Sequence, residues 1–237
     1  MADAHRNSAR ANVCRDAYDD ARRAVEELVR APGVSLPQVA AIVTNGAEQR
    51  MVRHLAMVPL GTPVCQPGCV YCCHVPRVLV TVPELAAIAD AIGQRPPAEV
   101  EALLARIEPY TAQTVDPDAA ESFVLGTLLP CPLLVDDRCL VYEARPLVCR
   151  AEHAYDAAQC EAQFRTGAGN TLQCVLVLDA TDGTLSGVAD GLRSAGLRGE
   201  LMDLSRALRI VLDHPPGAID EWLAAGRWLE SAVVSDT

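Results

Sequence analysis

Seven of the ten cysteines fall in two compact groups. The first runs Cys65-Gln-Pro-Gly-Cys69-Val-Tyr-Cys72-Cys73-His74. The second holds Cys131 and Cys139 in Cys131-Pro-Leu-Leu-Val-Asp-Asp-Arg-Cys139 and ends at Cys149-Arg150. Thiolates are soft ligands that select zinc, cuprous ions and iron–sulfur clusters. Gaps of two and three residues let one loop turn several sulfurs toward a common centre, and Pro67-Gly68 tightens that turn. Core packing does not explain four cysteines in so short a stretch. A structural zinc takes four ligands, and an iron–sulfur cluster commonly takes four thiolates. Seven thiols therefore imply two centres, or one multi-iron centre with thiols to spare. His74 and His153 are candidate nitrogen ligands or hydrogen-bond donors to the ligands.

The residues around the second group have roles of their own. Leu140 and Tyr142 offer apolar cover for sulfur. Arg145 and Arg150 are permanent cations that would lower nearby thiol pKa values. Glu143 is placed to orient one of them through a bidentate pair. Asp136-Asp137 reads as a turn rather than as a hard-metal site. Cys160 follows soon enough after Cys149 to approach the centre, but it and Cys174 read as packing residues, as do Cys14 and His54.

Three resemblances attach to these motifs. The whole pattern, from Cys65-x3-Cys69-x2-Cys72-Cys73 through Cys131-Pro-Leu-Leu to Cys139-Leu-Val-Tyr-Glu-Ala-Arg-Pro-Leu-Val-Cys149-Arg150, resembles the YkgJ family of cysteine-cluster proteins over about residues 60–155. That family is described as zinc- or iron-chelating. The resemblance implies that Cys65, Cys69, Cys72, Cys73, Cys131, Cys139 and Cys149 are the metal ligands. Flagellin lysine-N-methylases carry a related pattern and are associated with an iron–sulfur cluster and S-adenosylmethionine. This chain has no strand followed by a glycine-rich loop to accompany it. Cys65-x3-Cys69-Val-Tyr-Cys72 is also similar to the three-cysteine loop of radical S-adenosylmethionine enzymes. The alternating strand–helix pattern of that fold is missing, and Cys73 falls outside its motif.

The flanking segments must position these loops. Helical periodicity and punctuation predict helices from about Ala9 to Ala31, from Pro37 to Met57, and from a Thr81-Val-Pro-Glu84 capping sequence to Gly93. Others are expected over Ala98–Tyr110, Ala119–Leu128, Pro146–Cys149, Ala157–Arg165, Leu185–Leu192, Leu201–Leu212 and Ile219–Leu229. Leu172–Leu178 reads as a strand or a buried turn of helix. Trp222 and Trp228 are expected as core anchors. The fold class is mainly α: a helical domain with irregular cysteine-rich loops around a metal centre and at most a few short strands. Segments 1–60, 61–165 and 166–237 are expected to form one globular unit, with the metal-chelating core in the middle.

Composition narrows the function. All 20 basic residues are arginine, so lysine Schiff-base chemistry and a lysine-bearing phosphate loop are excluded. With 31 acidic residues the formal charge is −11, which argues against a nucleic-acid partner. No apolar run approaches the roughly 20 residues of a membrane span. The polar N-terminus lacks an export signal, so a cytoplasmic protein is expected. In a reducing compartment clustered cysteines favour metal over disulfides.

The leading reading is a metal-binding protein with an iron–sulfur cluster, [4Fe-4S] first, or a multinuclear iron or zinc centre. Its partner is a metal ion or cluster, with any small molecule or protein partner unidentified. Two alternatives stay open: a zinc-stapled structural or interaction protein, and an S-adenosylmethionine-dependent iron–sulfur enzyme. No Ser–His–Asp arrangement marks a catalytic residue.

Overall fold

The computed structural model describes residues 2–113, 125–167, 170–213, 219 and 229–234. They are mainly helical. In chain order the helices are α1 (Ala2–Leu28), α2 (Leu36–Met57), α3 (Val82–Gly93), α4 (Pro97–Gln113), α5 (Leu147–Ala151), α6 (Ala157–Thr166), α7 (Val175–Ser194) and α8 (Leu204–Leu212). Four two-residue strands, β1 (Leu79–Val80), β2 (Leu134–Val135), β3 (Arg138–Cys139) and β4 (Met202–Asp203), form two small antiparallel pairs.

The longest packing surface is between α1 and α7. Its closeness comes from glycine. Gly183, Gly187 and Gly191 repeat every four residues and line one face of α7. A Cβ at Gly187 would lie 2.3 Å from the carbonyl oxygen of Tyr18, and one at Gly183 would lie 2.1 Å from that of Cys14. Only bare backbone fits there. The buried hydroxyls of Thr181 and Thr184 are turned back onto α7, each donating at 2.8 Å to the carbonyl four residues earlier. The pair is tied at its edges by Arg10 to Asp179 and by the Tyr18 hydroxyl, which donates to Asp190 at 2.7 Å.

α2 lies across α3 and α7, while α4 and α3 pack on α8. Ser35 and Gln38 close a capping box at the start of α2. One apolar cluster gathers Val25, Leu85, Ile88, Ile92, Leu103, Ile107, Leu192 and Leu208 from five helices. A second, around Met51, Leu147, Cys174 and Val177, joins α2, α5 and α7. β1 pairs with β4 in the register Leu79 to Asp203 and Val80 to Met202, so the stretch after the first cysteine group is stitched to the head of α8.

Several expected elements differ in extent. The segments 172–178 and 185–192 are largely one helix, α7, because Val175 onward keeps its buried face without interruption; residues before Val175 are neither strand nor helix. α4 runs past Tyr110 to Gln113 and tolerates Pro109 inside it. The expected helix at Ala119–Leu128 falls mostly outside the described residues, and its described end is a 3-10 turn at Leu125–Thr127. The Ile219–Leu229 helix, with Trp222 and Trp228, also lies outside them apart from its two end residues. No helix among the described residues is long and apolar enough to cross a membrane.

The glycine stripe separates two kinds of glycine. Gly187→Val is expected to cost about 2–3 kcal/mol through overpacking. Gly46, in α2, has nothing within 4 Å of its missing Cβ, so Gly46→Ala is expected to stabilise by about 0.5–1 kcal/mol. Chemical denaturation of both variants checks the pair.

Candidate metal centre

The two cysteine loops meet directly. The Cys131 amide donates to the Cys73 carbonyl at 2.7 Å, which sets the second motif on the end of the first. The first loop turns at Pro67-Gly68, with Gly68 at φ +94° and the Cys69 amide donating to Gln66 at 3.1 Å. A left-handed φ of this kind is open to glycine at little cost. A 3-10 turn over Tyr71–Cys73 then carries the adjacent thiols of Cys72 and Cys73, which hydrogen-bond each other. In the second loop, Leu134–Val135 and Arg138–Cys139 form a two-residue hairpin. Asp136 and Asp137 sit at its tip with φ of 48° and 59°, the left-handed pair that a type I′ turn requires. They shape the turn, as expected.

α4 clamps both loops from one side. Arg106 Nε donates to the Pro132 carbonyl at 2.9 Å, and one turn later the buried Tyr110 hydroxyl donates to Val75 at 2.5 Å. Arg95 reaches the Leu140 carbonyl. None of these three was singled out from the sequence. A lone Arg or Tyr on an amphipathic helix carries no local sign of which distant carbonyl it meets.

Glu84 does more than cap. Its Oε2 accepts from the Thr81 amide at 2.9 Å and the Thr81 hydroxyl at 2.8 Å, as the capping sequence implied. Its Oε1 accepts from the Leu147 amide at 2.6 Å, at the start of the short α5 that carries Cys149. Burial pushes the Glu84 carboxyl up; the Thr81 and Leu147 donors and the Arg150 charge pull the other way.

The arginines of the second motif behave differently from expectation. Arg150 donates through Nε to the Arg145 carbonyl at 2.8 Å, pairs with Glu48 of α2 at 2.6 Å and also reaches the Glu143 carbonyl. Glu143 thus serves Arg150 through its backbone, not through a bidentate carboxylate. Arg145 stacks 3.9 Å above the Tyr142 ring. The expected lowering of the thiols does not prevail. Arg145 and Arg95 draw the Cys139 thiol down, yet burial outweighs them and its net shift is upward.

Burial pushes Cys131 up to about 12 and Cys149 well above the ordinary thiol range. Cys72 is exposed as a residue, so its hydrogen bond to the Cys73 thiol is the cause that counts in its upward shift. Backbone amides of Leu133, Val141 and Ala154 oppose burial at Cys131, Cys139 and Cys65. Cys149 lies within electrostatic reach of Cys131, Cys139 and Cys72.

The histidines part company. His153 is buried between two backbone groups: Nδ1 meets the Ala151 carbonyl at 2.6 Å and Nε2 accepts from the Cys174 amide at 2.7 Å. Both nitrogens are used, which fixes the Nδ1–H tautomer and leaves no lone pair for a metal. His74 keeps Nδ1 on the Val70 carbonyl at 3.2 Å and packs edge-on against Phe164. Cys174 is buried in the α2–α5–α7 cluster, as a packing residue should be.

The donor set suits a soft metal: partly buried thiols from two joined loops, with backbone amides acting on three of the sulfurs. As the side chains stand, no group of three or more His, Cys, Asp or Glu among the described residues is arranged to hold a metal ion.

Residues 64–168 match the CxxCxxCC family, described as a putative zinc- or iron-chelating domain. The chain carries a CxxCxxCC domain, of the YkgJ cysteine-cluster type. No curated protein and no solved structure matches the chain. Metal binding, by zinc or iron in general terms, follows from the family. The CxxCxxCC span begins one residue before Cys65 and ends just after α6, so it contains both cysteine loops, the α4 clamp and Glu84.

The Glu84 bridge generates a test. Glu84→Leu removes an acceptor from three donors and is expected to destabilise the chain by about 2–3 kcal/mol. It should also loosen α5, read as faster amide exchange at Leu147–Cys149 than in α1.

Proposed function

We propose that the CxxCxxCC domain holds a cysteine-ligated iron centre, an iron–sulfur cluster, with Cys65, Cys69, Cys72, Cys73, Cys131, Cys139 and Cys149 as its candidate ligands. The observation that carries this reading is the hydrogen bond from the Cys131 amide to the Cys73 carbonyl. It joins two loops that are far apart in sequence, which supports one centre served by thiols from both. Seven thiols are more than a single closed tetrahedral ion uses, which favours a multi-iron centre over one structural zinc. In such a centre the permanent charges of Arg95 and Arg145 offset part of the negative charge of the bound thiolates near Cys139. Tyr110 and Leu133, both fully buried, keep water from one side of it.

The protein's own contribution is to hold soft donors on a rigid frame. α4 fixes both loops by two hydrogen bonds one turn apart. Glu84 and Arg150 fix the turn of helix bearing Cys149. Burial holds the free Cys131, Cys139 and Cys149 thiols toward the protonated form. Metal uptake at these sulfurs therefore releases protons.

Protein purified without oxygen is expected to be brown and to contain iron together with acid-labile sulfide. Stripping it with a chelator is expected to bleach it and lower its melting temperature. Cys149→Ser should abolish most of the colour while Cys174→Ser keeps it. Colourless protein holding stoichiometric zinc would refute the iron assignment.

A further inference from the structure

Three segments far apart in sequence are pinned together just ahead of the first cysteine loop. The Val64 amide donates to the Ala154 carbonyl at 2.8 Å. His153, the neighbour of Ala154, accepts through Nε2 from the Cys174 amide at 2.7 Å. The Cys174 sulfur in turn lies 4.0 Å from the carbonyl of His54, in the last turn of α2. Residues 54–64, 153–155 and 170–178 therefore meet at one place.

This junction leaves apolar side chains on the outside. Met57, Leu60, Val64, Leu172 and Val175 are all exposed, Met57 to 71%. Met57 stands three residues beyond His54 on the same side of α2, and Leu172 and Val175 lie close on either side of Cys174. Single exposed apolar residues are ordinary, but a group of them marks a contact surface. None of the three segments contains an Asp, Glu or Arg, although 22% of the whole chain is charged. Charge returns at the border. Arg53 sits one turn before Met57 on α2, and Glu152 accepts from Gln173 at 2.9 Å. Asp156 and Asp179 are engaged by the Ala158 amide and by Arg10.

The charge pattern says which partner fits. Over most of the surface a charge of −11 sets like against like when two copies approach. On this face it does not. A two-fold pair brings one surface against itself, so that surface must be self-complementary. An uncharged apolar face with a cation and an anion at its border meets that condition: Arg53 of one copy can answer Glu152 of the other. A strongly acidic or basic partner would find no matching charge across the centre.

We infer that this face pairs two copies of the chain as a two-fold dimer, with Met57, Leu60, Val64, Leu172 and Val175 of each at its centre. Side chains of this number and size span roughly 300–600 Å², the upper range for a patch on a monomer. Pairing two of them buries about 600–1,200 Å², the class of weak and transient contacts. The dimer is accordingly concentration-dependent, and it stands independently of the metal proposed above.

Sedimentation velocity of the full chain, purified without oxygen and held reduced, tests this from about 1 μM to 1 mM. The mass is expected to rise from one chain to two across that range. Added salt should tighten the pair, because it screens the repulsion between two acidic chains and leaves apolar contact intact. Met57→Glu and Leu172→Glu each set like charges together at the centre and should weaken association at least about tenfold. Both positions are exposed, so helix content by circular dichroism should not change. Ile42→Glu, on an exposed apolar residue about 22 Å further up α2, should dimerise like the unaltered chain. A chain that stays monomeric throughout overturns the inference, and a monomer that floats with neutral phosphatidylcholine vesicles gives the face to a lipid surface instead. A dimer that both glutamate variants leave intact, or that salt loosens, is made elsewhere and overturns it as well.

Discussion

A single buried carboxylate ties together the parts of the domain that matter. Glu84 accepts from the first turn of its own helix through one oxygen and from the Leu147 amide, far along the chain, through the other. A buried acceptor with three donors is fully occupied, and removing it strands each donor in a place water does not reach. The cost of burying the charge is met only because all of these bonds form at once. This makes the geometry nearly all-or-none: α3 and α5 are either in register or not joined. Since α5 bears Cys149, and α3 follows the first cysteine loop after β1, the carboxylate ties the helix carrying the third sulfur of one motif to the segment that follows the other.

Much of this was legible in the chain. Thr81-Val-Pro-Glu84 announced a capped helix because capping is a local code, written within four residues. Asp136-Asp137 announced a turn for the same reason. The cysteine spacing announced soft-metal chemistry because ligand type and gap are themselves the signal. The second duty of Glu84 was not legible, since nothing in a capping sequence tells which distant amide the free oxygen will meet. Arg106 and Tyr110 escaped notice likewise. Their partners are backbone carbonyls, which every residue has, so the pairing leaves no mark on composition. The division of 172–192 into two elements failed at a buried run, where strand and helix share the same apolar character.

The electrostatics of the sulfurs reverse a natural assumption. Arginines beside cysteines suggest thiolates ready to react. Here Arg150 spends its donors on two carbonyls and on Glu48, and Arg145 lies on Tyr142. Their role is mostly architectural, and burial governs the thiols of Cys131, Cys139 and Cys149. A buried, protonated thiol of this kind is a poor nucleophile until an ion displaces its proton.

The bare stripe on α7 has a consequence for biosynthesis. α1 is made long before its partner surface, which begins at Gly183. At roughly 5–20 residues per second, α1 waits about ten to thirty seconds before the groove that receives it exists. Its apolar side, with Ala17, Ala21 and Val25, stays uncovered for that whole interval. Until α7 has been made, α1 must be shielded in some other way.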